Sequence, residues 1–537
     1  MDTDTEARTG HRWKSETPPN GDRQESARIG TACSEHPCLF VSIRGSNESS
    51  RLRACFASRT SRIFPGILLG AGVVLSVMAQ ESRSPEAVRL SREPVLFVDD
   101  SAIASMGGLV RTIHPAKTHP VPVVEPERPW EEVRVYTYGS VMRDPTTGGF
   151  RLWYMAHSRV LYATSADGIS WNKPALGVQD YQGSKANNIV FPDLHSPSVV
   201  EDRFTSDPAK RLRMLGNVGG KYFGAYSADG IHWQGRNAQP FFLGSDTNTL
   251  TQDPRTGEFM AFFKKKSNDA PGRVVWLTRS RDFVTWSEPK LVFHADEEDN
   301  RWAKGPGQGT EVYNMSVVPH ATGFLGFPTI FRMMERLPAQ VKVGNGQSRD
   351  NGPIDVQLVT STDGEHWART TPRVNVVPRG VPGSFDGGAI LGVTSTVVES
   401  AEETWMLYTA INTGHGGPIP PKRLTLGRAV WRLHGFASLD AGPTGGRLVT
   451  RPLLIGGGKL VINADANRGR LRMALNEVDG REVPGFGLGD FEVLQANATR
   501  AEARWKTGRD IPADRPFQVV IELSNTRLYS LSAIPKP

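Results

Sequence analysis

Cysteine is almost absent from this chain. Its 537 residues include three, Cys33, Cys38 and Cys55, and none follows them. A fold built from the rest draws nothing from disulfides and rests on core packing. Long apolar runs are as scarce. The one that stands out extends from Ile63 to about Met78, follows Arg59 and Arg62, and runs into Val77-Met78-Ala79, which has the small-x-small form of a cleavage site. It contains Pro65 and several glycines and is short for a spanning helix. We read residues 61–79 as a signal-peptide-like segment. That implies a secreted or periplasmic protein with no stable membrane span after cleavage; the alternative is an uncleaved anchor. Residues 1–60 are polar, rich in Arg, Ser and Thr, and without hydrophobic period. They read as disordered or as an over-extended start, with the true start nearer Arg51.

Charge of one sign is lacking too. The balance of 63 Lys and Arg against 56 Asp and Glu leaves +7, small for this length. No basic run interleaves with aromatics, which sets nucleic acid aside as a partner. No metal-ligand cluster has convincing spacing. No G-x-S-x-G supports a Ser-His-Asp nucleophile. Helical period is nearly missing from Glu93 to Phe436.

What is present is a repeat. "YATSADGISW" ends at Trp171, "AYSADGIHW" at Trp233, "LTRSRDFVTW" at Trp286 and "LVTSTDGEHW" at Trp367. Each copy closes a unit of short β-like runs rich in Val, Tyr, Phe and Trp, separated by Gly, Asp-Gly and Asp-Pro turns. A fifth unit, "SFDGGAILGVTSTVVESAEETWMLYTAINTG", keeps the first strands and loses the Trp turn. Units of roughly 50 to 80 residues with about four strands each are propeller blades. In the turn, Asp-Gly permits a tight hairpin, Ser and Asp bond nearby amides, and the indole packs between blades. Four copies fit packing better than four active sites. The early strand "EPVLFVDDSAI" reads as part of the closure or of the mouth of the first blade. After Phe436 come alternating strands with Gly and Asp turns and no Trp turn, as in a β-sandwich. The reading is all-β: a five-bladed β-propeller over 93–436, then a β-sandwich over 437–537.

At this level the chain resembles the five-bladed propeller glycoside hydrolases, the clan of invertases, fructanases, arabinanases and xylosidases (glycosyl hydrolase families 32 and 43). Within that likeness, "PWEE", "GSVMRDP", "YATSADGISWNKPALG" and "HGFASLDAG" resemble a group of secreted bacterial glycosyl-hydrolase-like proteins. The resemblance implies carboxylates on the innermost strands around a central funnel, one protonating the leaving oxygen while another serves the opposite face. It also allows a structural calcium ion in the funnel, and otherwise no cofactor. The invertase motif R-D-P matches Arg143-Asp144-Pro145, but Asp207 and Asp253 stand at the same place in their units, so Asp144 reads as a turn former. The clan's W-M-N-D-P-N-G nucleophile is absent. Asp100, in "FVDD" with Asp99, is its nearest substitute.

In the clan the starts of the innermost strands face the funnel. Here those starts carry Asp246, Glu311 and Asp386, from three adjacent units. We take them as the catalytic trio: Glu311 as general acid, because the clan uses Glu there, and Asp386 or Asp246 as base or nucleophile. Mutual repulsion and partial burial raise a carboxyl pKa, as an acid requires. Trp130, Trp302 and Tyr313 are candidates to stack on a sugar, and Glu131, His195, Arg301 and Arg379 to bond its hydroxyls or a carboxylate. Asn187 and Asn188 could bond hydroxyls or shape a turn. The expected function is hydrolysis of a poly- or oligosaccharide. The alternatives are a sugar-binding propeller without catalysis, a sialidase-like enzyme, which needs six blades, and an interaction scaffold. Oligomeric state is not legible.

Overall fold

The repeat becomes five antiparallel sheets. The computed structural model describes residues 87–90, 93–235, 237, 239–344, 347–456 and 458–534. The expectations for residues 1–60, for 61–79 and for the cysteines lie outside them. Blade 1 comprises Val141–Arg143, Phe150–Ala156, Arg159–Ser165, Trp171–Asn172 and Ile189–Phe191; blade 2 comprises His195–Glu201, Leu212–Val218, Lys221–Ser227 and Phe242–Leu243. Blade 3 is Asn248–Gln252, Phe259–Lys266, Arg273–Ser280 and Lys290–Phe293; blade 4 is built on Gly309–His320, Gly323–Met333, Val359–Ser361 and Ala368–Arg369. Blade 5 has Ala389–Val393, Glu403–Ile411 and Leu424–Arg432, and takes its outermost strand, Lys117–Thr118, from ahead of blade 1. This closure explains the missing fifth Trp turn. The chain leaves blade 5 after Arg432 for the second domain, so no hairpin corner is needed there.

The innermost strands are laced together by buried hydroxyls. Ser395 of blade 5 bonds Ser140 of blade 1 and Ser198 of blade 2, each at 2.9 Å. Ser198 accepts from Leu250 N of blade 3 at 2.9 Å, and Thr249 of blade 3 donates to Met315 O of blade 4 at 2.6 Å. Ser316 of blade 4 completes the circuit by donating to Val393 O of blade 5 at 2.7 Å. Bonding the five strands around one axis gives these hydroxyls partners where water is excluded.

Each Trp turn docks on the preceding blade. In blade 2, Ser227 Oγ accepts from Gly230 N at 2.9 Å and Asp229 Oδ1 from Ile231 N and His232 N, both at 2.8 Å. Gly230 has φ +83°, and a Cβ there would meet the Trp153 ring of blade 1 at 2.4 Å. The four indoles, Trp171, Trp233, Trp286 and Trp367, pack against four different inter-blade cores.

The sandwich is built from both ends of the described chain. One sheet joins Asn497–Glu502, Lys459–Asp465, Thr526–Ile534, Ala437–Ala441 and Leu109–Ile113; the other joins Ile103–Gly107, Gly446–Thr450, Gln518–Ser524 and Arg470–Asn476. The strand "EPVLFVDDSAI" is therefore corrected: Val95 and Leu96 pair with Leu531 and Ser530, and Val95 and Phe97 enter the sandwich core. Residues 95–113 were expected in the propeller. Pairing across some 430 positions leaves no local sign, which is why they were misplaced. Propeller and sandwich lie within one compact unit, Glu81–Pro537. His434 ties them together, with Nε2 3.0 Å from Glu399 and Nδ1 3.0 Å from Ser530.

Candidate functional site

The third innermost strand begins at Asn248, and the turn before it lifts Asp246 into the funnel. Its side chain is about half exposed at 51%, whereas its partner Lys264, on the next strand, is 5% exposed. The two stand 2.6 Å apart. The Lys264 ammonium also lies 3.7 Å from the centroid of the Tyr313 ring in blade 4. Burial alone raises the Asp246 carboxyl, but the charge and hydrogen bond of Lys264 outweigh it and hold the group well below the usual carboxylate range. The charge of Asp246 is felt by Tyr136 and Tyr138 of blade 1 as well as by Tyr313, so it sits among residues from across the axis.

His195 opens blade 2 beside it. Its Nδ1 lies 2.6 Å from the Asp246 carbonyl, which also accepts from Ser196 Oγ at 2.7 Å and Asn217 Nδ2 at 2.9 Å. A carbonyl only accepts, so Nδ1 carries the proton and Nε2 bears the lone pair. Burial lowers the imidazole pKa, the Asp246 charge opposes this, and Lys264 and Arg134 add to the lowering. His195 and Asp246 line a cleft of about 440 Å³ with Ser158, Asp193, Asn217 and Ser245.

Glu311 is placed differently from its expected role. Both its oxygens are taken, one by Arg273 and the other by Arg336 at 2.9 Å. Asp350 bonds the same two arginines, each at 2.7 Å, closing a square of two acids and two bases. Gly272, at φ +76°, lies so close that a Cβ would meet the Glu311 carboxylate at 2.7 Å. With both oxygens bonded by guanidiniums, Glu311 has neither one turned free toward a leaving oxygen, as the general-acid role expected of it requires. Asp386 is buried too, ahead of the inner strand of blade 5 and bonded to Tyr408 OH and Ser384 Oγ, both at 2.8 Å. The three acids do not form one open cluster.

The remaining candidates divide in the same way. Tyr313 belongs to the funnel, as the surface under Lys264. Glu131 is fully buried, accepting from Tyr154 OH at 2.6 Å, Lys173 Nζ at 2.9 Å and two backbone amides, so it is a structural carboxylate. Trp130 donates to Asn188 at 2.8 Å and packs on the core between blades 5 and 1. Asn187 turns back on its own loop, accepting from Ile189 N at 2.9 Å. Trp302 donates to Thr310 at 2.8 Å, and Arg301 caps the short helix Glu297–Asn300. Arg379 bonds the buried Asp355 at 2.7 Å. Asp100 pairs with Arg111 on the sandwich, away from the funnel strands. Asp144 accepts from Thr146 N at 2.9 Å, as a turn former does.

Lys264, Arg273, Arg134, His157, His415 and Lys422 were not singled out from sequence. Lys264 carried a signal: it follows the apolar run "FMAFF", where the two-residue strand period still points inward. Among the described residues no group of three or more His, Cys, Asp or Glu is arranged to hold a metal ion. The calcium ion that the resemblance allows does not fit a floor set with Lys264 and Arg273. No described helix is long and apolar enough to cross a membrane.

No family model and no curated protein matches the chain. Among solved structures, it is similar to an N-acetylgalactosamine deacetylase from F. plautii in complex with blood group B trisaccharide, at 15% identity and TM-score 0.41, over 62% of this chain and 97% of that one. It is similar to an endo-arabinase from Bacteroides thetaiotaomicron, at 12% identity and TM-score 0.36, over 58% and 96%. It is also similar to the catalytic domain of the Coprinopsis cinerea GH62 alpha-L-arabinofuranosidase, at 11% and 0.38, over 59% and 97%. The fold is read from the sheet order itself.

Proposed function

We propose that this protein is an exported, glycoside-hydrolase-like propeller that receives a poly- or oligosaccharide in its funnel, with Asp246 as the carboxylate that meets the sugar. The observation that carries the reading is the pair Asp246 and Lys264. The acid is half exposed and kept ionised, while the base beneath it is buried. An ionised carboxylate in a cleft serves glycosidic cleavage as nucleophile, or as the base that activates water. His195 Nε2 offers a second acceptor on the same wall. Five sheets also set aside the sialidase-like reading, which needs six.

A second reading, carbohydrate binding without cleavage, is favoured by the clamping of Glu311 and the burial of Asp386. Cleavage needs a proton donor for the leaving oxygen, and neither residue is free to be one. The test is hydrolysis of a panel of polysaccharides and aryl glycosides, with a glycan array in parallel, for the protein and for Asp246→Asn. Hydrolysis abolished by the substitution supports the first reading. Array binding without hydrolysis supports the second. Neither signal on any carbohydrate overturns both.

A further inference from the structure

The rim of the funnel is uneven. It is set by the connection between the second and third strands of each blade. In blade 1 that connection is residues 157–158 and in blade 2 residues 219–220, two residues each. In blade 3 it is 267–272, in blade 5 it is 412–423, and in blade 4 it is 334–353, which runs to the strand Ile354–Val356. The longer connections are bonded into one wall. His415 N of blade 5 donates to Gly352 O of blade 4, and Gly416 N to Asn351 Oδ1, both at 3.0 Å. Arg273, which follows 267–272 in blade 3, bonds Asp350 of blade 4 at 2.7 Å. The rim is thus built up and laced over blades 3, 4 and 5, and low over blades 1 and 2.

The cleft beside Asp246 lies on the low side. Ser158 of blade 1 and Gly219 and Gly220 of blade 2, all from the two-residue tips, line it together with His195, Ser245 and Asp246. Gly244 lines it too, and its N–H donates to Gly220 O at 2.9 Å. Three glycines therefore give this part of the cleft a wall of bare backbone. Gly220, at φ +80°, is close enough that a Cβ would meet Gly244 O at 2.9 Å. Gly219 differs: at φ +59° a Cβ would meet nothing within 4 Å, so the space before it is open. Outward of the tip the next pair in register, Lys221 and Leu243, is exposed. A cleft of about 440 Å³ is within the range that encloses ligands larger than one sugar ring.

We propose that the tip of blade 2 is a second sugar subsite, and that the funnel takes a chain of linked sugars that leaves across Gly219, Gly220 and Gly244. This rests on the reading of the funnel as a carbohydrate site. Asp246 meets one ring, and the glycine backbone receives the next, since a main chain without Cβ atoms lets a ligand approach closely. The laced connections of blades 3 to 5 bar the opposite side and so set the direction in which the chain runs.

The experiment is calorimetric titration with xylo-, arabino-, galacto- and manno-oligosaccharides, each from the monosaccharide to the pentasaccharide. In at least one series the longer members are expected to bind roughly tenfold tighter than the monosaccharide or more. Gly219→His, folded by circular dichroism, is expected to erase that gain, because histidine tolerates a positive φ and its ring projects into the open space. Gly148→Asn is the control. Gly148 also has a positive φ, +74°, and open space before it, but it sits in the turn between the first two strands of blade 1, away from the cleft. It is expected to keep the gain. Equal affinity at every length, or a gain that survives Gly219→His, overturns the proposal and leaves the carbohydrate reading standing. A gain lost equally in Gly148→Asn also overturns it. Failure of every series to bind overturns both.

Discussion

Lys264 Nζ lies 2.6 Å from Asp246 Oδ1, the lysine buried and the aspartate half exposed. Removing the lysine leaves the burial of the acid without its counter-charge. Lys264→Met is therefore expected to raise the Asp246 pKa and move the acid limb of the pH profile for hydrolysis or sugar binding to higher pH. Asp246→Asn is expected to lower hydrolysis by about a hundredfold or more, without loss of fold. The check is a pH–rate or pH–affinity series on the protein and both variants.

Glu311 is expected to behave as a structural acid. Glu311→Gln leaves Arg273 and Arg336 facing Asp350 alone and costs about 3 kcal/mol of stability. Urea denaturation measures it. A variant that keeps full stability yet loses all activity contradicts the ion-square account and returns Glu311 to catalysis.

His415 packs between Tyr313 and Phe331, ring centroids 5.0 Å from each. Burial holds its imidazole down at about 4, against 6.5 in the unfolded chain, with Lys422, Arg273 and Lys264 adding to the effect. The unfolded state binds the proton first, so this contribution to stability is complete above pH 6.5 and is lost as pH falls through about 4. At full size it is about 3 kcal/mol. The drop in urea midpoint between pH 7 and 4.5 is expected to be shallower in His415→Gln than in the parent.

The Trp turns admit a packing test. Gly364 has φ +77°, and a Cβ there would meet Met260 Cε at 2.2 Å. Gly364→Ala is expected to cost about 1–3 kcal/mol from backbone strain and crowding between blades 3 and 4. Thermal denaturation reads it, and sugar binding at 25 °C is expected to be unchanged.

Much of the fold was legible because its information is local. Four copies of one turn, each with Ser, Asp and Trp at constant spacing, announce repeated four-strand units, and Asp144 could be recognised as a turn residue from its recurrence alone. The closure was not legible. Lys117–Thr118 pairs with Ala429 and Val430 through backbone bonds that carry no side-chain signature.

Blade rhythm, the docking of the indoles and the acids that open the strands can be read along the chain, since each depends on neighbours a few residues apart. Which of those acids is available is set by the packing of the blades. Asp246, Glu311 and Asp386 look alike along the chain, yet one meets a buried lysine at the funnel surface, one is clamped by Arg273 and Arg336, and one is buried against Tyr408. Those partners come from other strands and turns. The ionisation and reach of a carboxylate depend on charges within a few ångströms in space, whatever their separation in sequence.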